Sequence, residues 1–462
     1  MHKLQKKPQI MTDKTQTLAQ FCAAMPSVSL DPAVTERAKL IIADCVAAIL
    51  GGIVETEVKQ LVEQRSGEPC ATRKIPLIGP AAFADRAQAA FIHGLAGTVL
   101  EMDEGHQFAK GHPGIHVFPA LLAAAQSELL QQPVSGREFI TAFVTGYDIA
   151  ARIGNAARIR PSMHPHGTWG VMGAASAIGT LLHYNSEQHC ELLNIASSLT
   201  TASSRKTMLE GGTVRNAYAG LSNQMGHLAI DLLQSGFSGE RDGIGSVFGA
   251  VISDGLDPDL LTEELGQRFE VMRNYFKLHA CCRYNHAALD CLVALMEAHP
   301  ELADSDTIEA IDVVSYNLAA ELDDPRPRNM LAAKFSIPFA MATTLVHKNS
   351  KVMSFAGAAL SNQTTAKLAE KVTVTEDPAM TALLPDFRPA QVTIKQKNGK
   401  SFSHSVKTNR GDWQDPYSAE ELEEKFYSLA ERSLSPEQSA TLYDGLMKLD
   451  SAPDVSAVFR LS

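Results

Sequence analysis

The sequence predicts a mainly α-helical protein with one large helical domain and one smaller α+β domain. Residues 14 to about 265 carry apolar residues at helical spacing in one segment after another. Short runs of strand-like composition occur near residues 308–316 and 391–406. Helical spacing returns over residues 418–447. We therefore expect both chain ends to build the helical domain, with the α+β domain between them.

Length and composition support this organisation. A chain of 462 residues exceeds what a single hydrophobic core ordinarily supports, so two domains are expected. Hydrophobic residues make up 45% of the chain and charged residues 20%, which is typical of globular proteins and not of disordered ones. We place the helical domain at residues 14–268 and 408–462, and the α+β domain at residues 269–407.

Charge, hydropathy and cysteine content narrow the class of partner. The net charge of −11 argues against nucleic acid, because an acidic protein gains nothing from a polyanion. No apolar run reaches the roughly 18 residues that a membrane span requires, which argues against a membrane partner. The seven cysteines follow no metal-binding spacing. We therefore expect reduced thiols, a cytoplasmic location, and neither a metal nor another cofactor.

The predicted helices follow one another through the first half of the chain. The segment 34–50 has helical spacing and stops at Gly51-Gly52, a pair typical of a helix C-cap. The segment 87–100 is small and apolar on most sides, which indicates a helix buried in the core. Further helices are expected at residues 119–126, 138–155, 170–183, 192–202 and 216–235.

The middle of the chain mixes strands with helices. Residues 308–316 favour a strand because β-branched side chains dominate their centre. Asn398-Gly399 is a strong hairpin signal between two short strands within residues 391–406. A helix is expected at residues 329–346 between these strands. Together they indicate the smaller α+β unit.

The first candidate site is an acidic, histidine-containing loop that follows the buried helix. Glu101, Asp103, Glu104, His106 and His112 fall within twelve residues, where the chain must leave the core. Catalytic groups concentrate on such loops, and imidazole suits proton transfer near neutral pH when a carboxylate fixes its tautomer. A solvated acidic loop would show the same spacing.

Two later turns offer groups that could bind a carboxylate. His164 and His166 precede the small-residue helix near Gly170, where free backbone N–H groups can hold an anion. In the second turn, two glycines let the backbone approach a ligand, and Arg215 offers a bidentate fork. The alternatives are a capping turn with surface histidines and a helix-start turn with a surface arginine.

The expected domain boundary carries the cluster Lys-Leu-His-Ala-Cys-Cys-Arg-Tyr-Asn-His at residues 277–286. Clefts between domains are common ligand sites, so Cys282 and His286 are candidates for binding substrate. Adjacent cysteines are poorly placed to chelate one metal, so Cys281 and Cys282 are expected to pack or to line the site, with a nucleophilic Cys282 as the alternative. Tyr316, at a strand end, could supply a phenol as acid, although a core-edge tyrosine would look the same.

Taken in order, these motifs resemble the MmgE/PrpD family, which includes 2-methylcitrate dehydratase, cis-aconitate decarboxylase and iminodisuccinate epimerase. The resemblance covers roughly residues 14 to 455. In the first half of the chain it rests on Leu-Glu-Met-Asp-Glu at residues 100–104 with the His-Pro pair at 112–113, on His164 six residues before Gly170, and on Gly-Gly-Thr-Val-Arg at 211–215. In the second half it rests on the cluster at residues 277–286 and on Ala-Lys-Phe-Ser-Ile-Pro-Phe at 333–339.

The resemblance implies a homodimer in which the α+β domain forms a lid and the active site lies between the domains. Asp103, with Glu101 as its rival, stands where the decarboxylases have a catalytic-site aspartate. His112 and His164 match two histidines of that site. Arg215 stands where the decarboxylases carry a lysine, which keeps the positive charge but loses a transferable proton.

The lid contributes the remaining matches. Cys282 or His286 falls near the lid's site histidine, and Tyr316 matches a lid tyrosine. We therefore expect a metal-independent lyase that removes a proton alpha to a carboxylate of a small di- or tricarboxylic acid such as 2-methylcitrate, citrate or aconitate. The alternatives are an epimerase or racemase of an aminodicarboxylate such as iminodisuccinate, and an inactive member that only binds a carboxylate.

Roles follow from this chemistry. The expected catalytic residues are Asp103, His112, His164 and Tyr316, with His164 or Asp103 as the base and His112 or Tyr316 as the acid. The expected substrate-binding residues are Glu101, His106, His166, Arg215, Cys282 and His286.

Overall fold

The computed structural model describes residues 6–72 and 74–460, with side chains from residue 13 onward, and 56% of it is helical. The predicted mainly α class is confirmed. The helices of the first half are α1 (Lys6–Ala24), α2 (Pro32–Gly52), α3 (Thr56–Arg65), α4 (Arg86–Val99), α5 (Pro113–Ala125), α6 (Gly136–Ala156), α7 (Gly170–Leu181), α8 (Ser186–Ser198), α9 (Lys206–Leu209) and α10 (Ala217–Gln234).

The second half has shorter helices and the main sheet. Its helices are α11 (His286–Ala298), α12 (Asn317–Ala320), α13 (Met330–Lys334), α14 (Ile337–His347), α15 (Gln363–Ala369), α16 (Pro378–Thr381), α17 (Ala419–Ala430), α18 (Pro436–Met447) and α19 (Val455–Val458). The strands within the described residues are β1 (Ile75–Pro76), β2 (Phe83–Ala84), β3 (Gly105–His106), β4 (Ala157–Ile159), β5 (Ser253–Leu256), β6 (Asn274–Tyr275), β7 (Ile308–Ser315), β8 (Val372–Glu376), β9 (Ala390–Gln396) and β10 (Ser401–Val406).

Helix α2 lies at the centre of the helical core, and most of its residues are buried. The predicted C-cap at Gly51-Gly52 is wrong, because the helix continues through both glycines and Ile53 caps it. A Cβ atom on Gly52 would lie 2.0 Å from the carbonyl oxygen of Ala96 in α4. Glycine is therefore needed here for the close approach of two buried helices and not for chain reversal.

Helix α5 begins earlier than predicted, at Pro113 instead of residue 119. Proline is favourable at the first helical position, because its missing N–H would have no partner within the helix there. This start makes His112 the N-cap residue of a fully buried helix. The segments predicted at residues 138–155 and 216–235 match α6 and α10 within two residues at each end.

The main sheet has four strands in the order β10-β9-β7-β8. Strand β7 pairs antiparallel with β9 and parallel with β8, and β9 and β10 form the predicted hairpin with Ala390 opposite Val406. Gly399 in the turn adopts φ +85°, a left-handed conformation that favours glycine. Strand β8 was not predicted from the sequence. The single helix predicted at residues 329–346 is two helices, α13 and α14, separated at Phe335-Ser336.

The C-terminal helices pack against the N-terminal half of the chain. Helices α17 and α18 both contact α2, and α19 contacts α5. The domain limits at residues 268 and 408 stay a prediction, and the predicted end includes Leu461 and Ser462, which lie outside the described residues. Within the described ranges, each helix is too short or too polar to cross a lipid bilayer.

Candidate active site

The first predicted cluster forms a buried loop of residues 100–112, which we call the site loop. Helix α4 ends at Val99, and Glu101 then adopts φ +54°. Lys110 adopts φ +58° near the other end of the loop. Left-handed backbone is unusual for residues with a side chain, and it concentrates at functional sites. Strand β3 in this loop pairs with β6, which fixes the loop against the segment that leads to residues 277–286.

The site loop borders a cavity that contains about 600 Å³ of space free of protein atoms, part of it open to solvent. A larger cavity of about 1420 Å³ lies behind the loop, but none of the predicted site residues lines it. Seven predicted residues line the smaller cavity: Glu101, His106, His112, His164, His166, Arg215 and Cys282.

Asp103 and His112 form a buried pair at the wall of this cavity. Nδ1 of His112 lies 2.5 Å from Oδ2 of Asp103. Burial alone would raise the pKa of Asp103, but its interactions with His112 and Lys277 hold it below its usual value overall. Burial lowers the pKa of His112, although Asp103 opposes that effect. A neutral His112 therefore donates its Nδ1–H to the carboxylate and leaves the Nε2 lone pair unprotonated.

His164 has the opposite hydrogen-bond arrangement. Its Nδ1 accepts the backbone N–H of His166 at 3.1 Å. Burial and the charge of Arg215 hold the pKa of both imidazoles well below the usual value, so both are neutral. In a neutral ring whose Nδ1 is an acceptor, Nε2 carries the proton. His112 thus offers a base and His164 a donor, and the ring of His166 lies 4.6 Å from that of His112 and 4.7 Å from that of His164.

The charged lining of the cavity is mainly cationic. Glu101 is the carboxylate among the described lining residues, and Arg215 pairs with it. Lys277 lies behind this pair, with Nζ 3.7 Å from Oε2 of Glu101 and 3.6 Å from Oδ1 of Asp103. Five cations line the cavity: Lys110, Arg205, Arg215, Arg283 and Arg388. Such a lining can bind a polyanionic ligand inside an acidic protein.

The structure places Tyr316 and His286 outside the cavity lining. Tyr316 is buried edge-on against Tyr284, with ring centroids 5.8 Å apart, and burial raises the pKa of its phenol. His286 packs against His279 and lies 3.2 Å from the carbonyl oxygen of Cys281. Tyr316 therefore packs behind a residue of the cavity lining, whereas these contacts of His286 are with residues outside that lining.

Cys282 lines the cavity as a buried thiol. Burial raises the pKa of its thiol to about 11, which leaves it protonated at neutral pH. A thiol in this state is a weak nucleophile. The geometry thus fits the expectation that Cys282 lines the site.

Several charged residues at the cavity or behind it were not singled out as site residues from the sequence. Lys277 opens the cluster at residues 277–286, and a lysine between Phe276 and Leu278 is a signal of a buried charge that could have been noticed. Arg283 lies inside the same cluster. Arg205 and Arg388 stand in segments without a motif, so only the folded structure brings them to the cavity.

No group of three or more histidine, cysteine, aspartate or glutamate side chains is placed to hold a metal ion within residues 6–72 and 74–460. The donor set at the cavity is histidine-rich, but its imidazoles contact one another and carboxylates without converging on a common point.

Comparisons with known proteins agree with these motifs. The MmgE/PrpD N-terminal domain model matches residues 16–257, and the C-terminal domain model matches residues 279–448. A protein of Aspergillus terreus named cis-aconitate decarboxylase is 24% identical over 97% of this chain and 95% of its own length. Proteins of the same name from Homo sapiens and Mus musculus are 24% and 25% identical, covering 97% and 81% of this chain and 94% and 78% of their own lengths. The chain belongs to the MmgE/PrpD family.

Proposed function

We propose that this protein is a lyase that acts on a small aconitate- or citrate-like polycarboxylic acid without a metal. The proposal is supported by relatives named cis-aconitate decarboxylase and by the cation-lined cavity. The observation that carries it is the buried Asp103–His112 pair, because it leaves one imidazole nitrogen free beside a polyanion site.

His112 is the proposed base, and this reverses the roles expected from the sequence. Its Nε2 takes a proton from the carbon next to a substrate carboxylate, and Asp103 stabilises the imidazolium that forms. His164 donates its Nε2–H to the group on which charge develops. Arg215 holds the adjacent carboxylate, since guanidinium keeps its charge and cannot transfer the proton itself.

Two lyase outcomes are possible from this arrangement. In a dehydration, the hydroxyl leaves with a proton as water while the electron pair of the broken C–H bond forms the double bond. In a decarboxylation, the C–C bond to a carboxylate breaks, carbon dioxide leaves, and the electron pair left on carbon takes a proton that Nε2 of His112 has first accepted from solvent. Both need anion binding and a histidine at the reacting carbon.

Epimerisation of an aminodicarboxylate is the second candidate. The observation that favours it is the opposite protonation of His112 and His164, which lie on separate segments of the cavity wall. One ring could take the α-proton from one face while the other returns a proton to the opposite face.

A single NMR experiment in deuterated water separates these candidates. We expect the protein to convert 2-methylcitrate, citrate or cis-aconitate to a product with a new or shifted alkene signal, and to do so equally in the presence of EDTA. Deuterium wash-in at the α-carbon of a chiral dicarboxylate, with no lyase product, would establish the epimerase. Polycarboxylates that raise the melting temperature without any turnover would indicate a member that only binds.

We further propose a cytoplasmic homodimer. The support is membership of a family expected to dimerise and the unpatterned cysteine content. Light scattering on the purified protein should return twice the chain mass of 49.8 kDa.

A further inference from the structure

Arg388 is a buried arginine of the cavity that forms no ion pair among the described residues. Its side chain is 4% exposed, and it lines the cavity from the loop before β9. Among the described residues, no aspartate or glutamate forms an ion pair with it, and its Nε has no hydrogen-bond partner. Its one hydrogen bond runs from Nη2 to the carbonyl oxygen of Gln107, at 3.1 Å.

The other buried arginines of the cavity are paired. Arg215 contacts Glu101, and Arg283 lies 2.5 Å from Asp412. The difference matters because a buried charge is expensive unless an opposite charge compensates it. Arg388 instead lies beside the aromatic rings of Tyr284 and Tyr316, whose centroids are 5.5 Å and 5.9 Å from its guanidinium carbon.

A second cation lies near Arg388. Lys110 lines the same cavity with a left-handed backbone, and it forms no ion pair within the described part of the chain. The side chain of Lys110 remains accessible to solvent, and its partial burial together with the charge of Arg388 lowers the pKa of its ammonium group. Two cations that repel each other on the lining of one cavity, neither of them in an ion pair among the described residues, form a site for an anion.

We propose that Arg388, assisted by Lys110, binds a substrate carboxylate remote from the reacting carbon, so that the cavity selects tricarboxylates over dicarboxylates. This inference rests on the proposed function, and it adds the substrate class. The reacting end lies against His112 and Arg215. The remote carboxylate balances the charges of Arg388 and Lys110, with a bidentate guanidinium contact.

The test is calorimetric binding of unreactive probes. Propane-1,2,3-tricarboxylate is compared with glutarate and 2-methylsuccinate, which each lack one of its carboxylates. Wild-type protein should prefer the tricarboxylate. Arg388→Gln should weaken tricarboxylate binding about 10- to 100-fold, as expected for loss of a charged hydrogen-bonded contact, and change binding of the tighter dicarboxylate less than about threefold.

Matched variants keep the outcome interpretable. Arg388→Lys should recover part of the preference because it restores the charge without the fork. Arg326→Gln removes an arginine that is 77% exposed and paired with Glu370, and it should leave all three affinities unchanged. With an active substrate, Arg388→Gln should raise KM far more than it lowers kcat, since the contact is equal in ground and transition states.

Each result decides between the two proposals. If wild type binds the polycarboxylates but Arg388→Gln weakens all three probes equally, or none of them, the Arg388 assignment is wrong while the proposed function stands. If wild-type protein binds no polycarboxylate at all, the proposed function is wrong and the assignment fails with it.

Discussion

Two buried charged regions flank the site loop, and they differ in how their charges are balanced. Behind the loop, Lys425 contacts Asp44 and donates to the carbonyl oxygen of Met102 at 2.6 Å. Asp44 accepts the backbone N–H of Glu104 at 2.7 Å. In front of the loop, Arg215, Arg283 and Arg205 are paired with Glu101, Asp412 and Glu321, but Lys110 and Arg388 form no ion pair among the described residues. The charges of the rear region are matched within the protein, whereas the front region keeps two cations without an ion pair.

This contrast supports the front of the loop as the candidate functional side. Buried ionic groups in a structural region must be matched within the protein, because no ligand will arrive to match them. An excess of one sign in a cavity is tolerable where a ligand of the opposite sign binds. The larger cavity behind the loop is the weaker candidate for an anion-binding site, because Glu421 and Glu424 lie beside the cations of its lining.

Breaking the rear region should have the largest effect on stability. Lys425→Met leaves Asp44 buried and unpaired, so the free energy of unfolding should fall by about 3–5 kcal/mol in urea denaturation. The control is Lys448→Met, which removes an exposed ion pair with Asp444 and should change the free energy by less than about 1 kcal/mol. Equal effects of the two variants would remove the basis for treating the rear region as structural.

The front region should make stability sensitive to acid. Burial lowers the pKa of His116 to about 4 from 6.5, and His164 and His166 shift in the same direction. Between these values the unfolded chain binds protons that the folded chain does not. The free energy of unfolding should therefore fall as pH falls from about 6.5 towards 4, and these groups should have no effect above that range. A free energy of unfolding that does not change over this acidic range would contradict the conclusion that the imidazoles of the cavity are neutral.

The rear region should instead make the protein less stable as the pH rises. Burial raises the pKa of Glu104 to about 8 from 4.5, so the folded chain keeps a proton that the unfolded chain has lost. The corresponding stability is lost as pH rises from 4.5 through about 8. Glu104→Gln should reduce this loss of stability with rising pH. It should not change the loss of stability at acidic pH that the histidines cause. A variant that alters both losses would show that the two regions are not separate.

The smallest effect is expected for Arg388 in the ligand-free protein. Arg388→Met removes an unpaired buried charge and one hydrogen bond, so the free energy of unfolding should change by less than about 1 kcal/mol. The buried control is Arg283→Met, which leaves Asp412 unpaired and should lower it by about 3–5 kcal/mol. A similar loss in both variants would mean that Arg388 has a structural partner.

Much of the fold followed from periodicity in the sequence. Helical spacing located α6 and α10 closely, and Asn398-Gly399 located the hairpin of β9 and β10. The misplaced boundaries have local causes. Gly51-Gly52 looks like a C-cap, but tertiary packing against α4 keeps the helix going. The spacing alone could not show that contact.

The site was predictable where its residues share a segment. Asp103 and His112 are nine residues apart, and the histidines near residue 164 form their own turn, so motifs showed them. Arg388 reaches the cavity from a loop 281 positions away from Gln107, its partner. Tautomers, and with them the roles of His112 and His164, depend on hydrogen bonds that form only in the folded chain.

The central claim is that Asp103 and His112 act together as the base of a polycarboxylate lyase. The most direct measurement is kcat of Asp103→Asn against wild type, followed by NMR on the converted acid, with Asp444→Asn as an exposed control. We predict that Asp103→Asn lowers kcat by about 100-fold or more while the fold persists, because the imidazole loses its tautomer and its counter-charge. A kcat within about threefold of wild type would contradict the role of this pair.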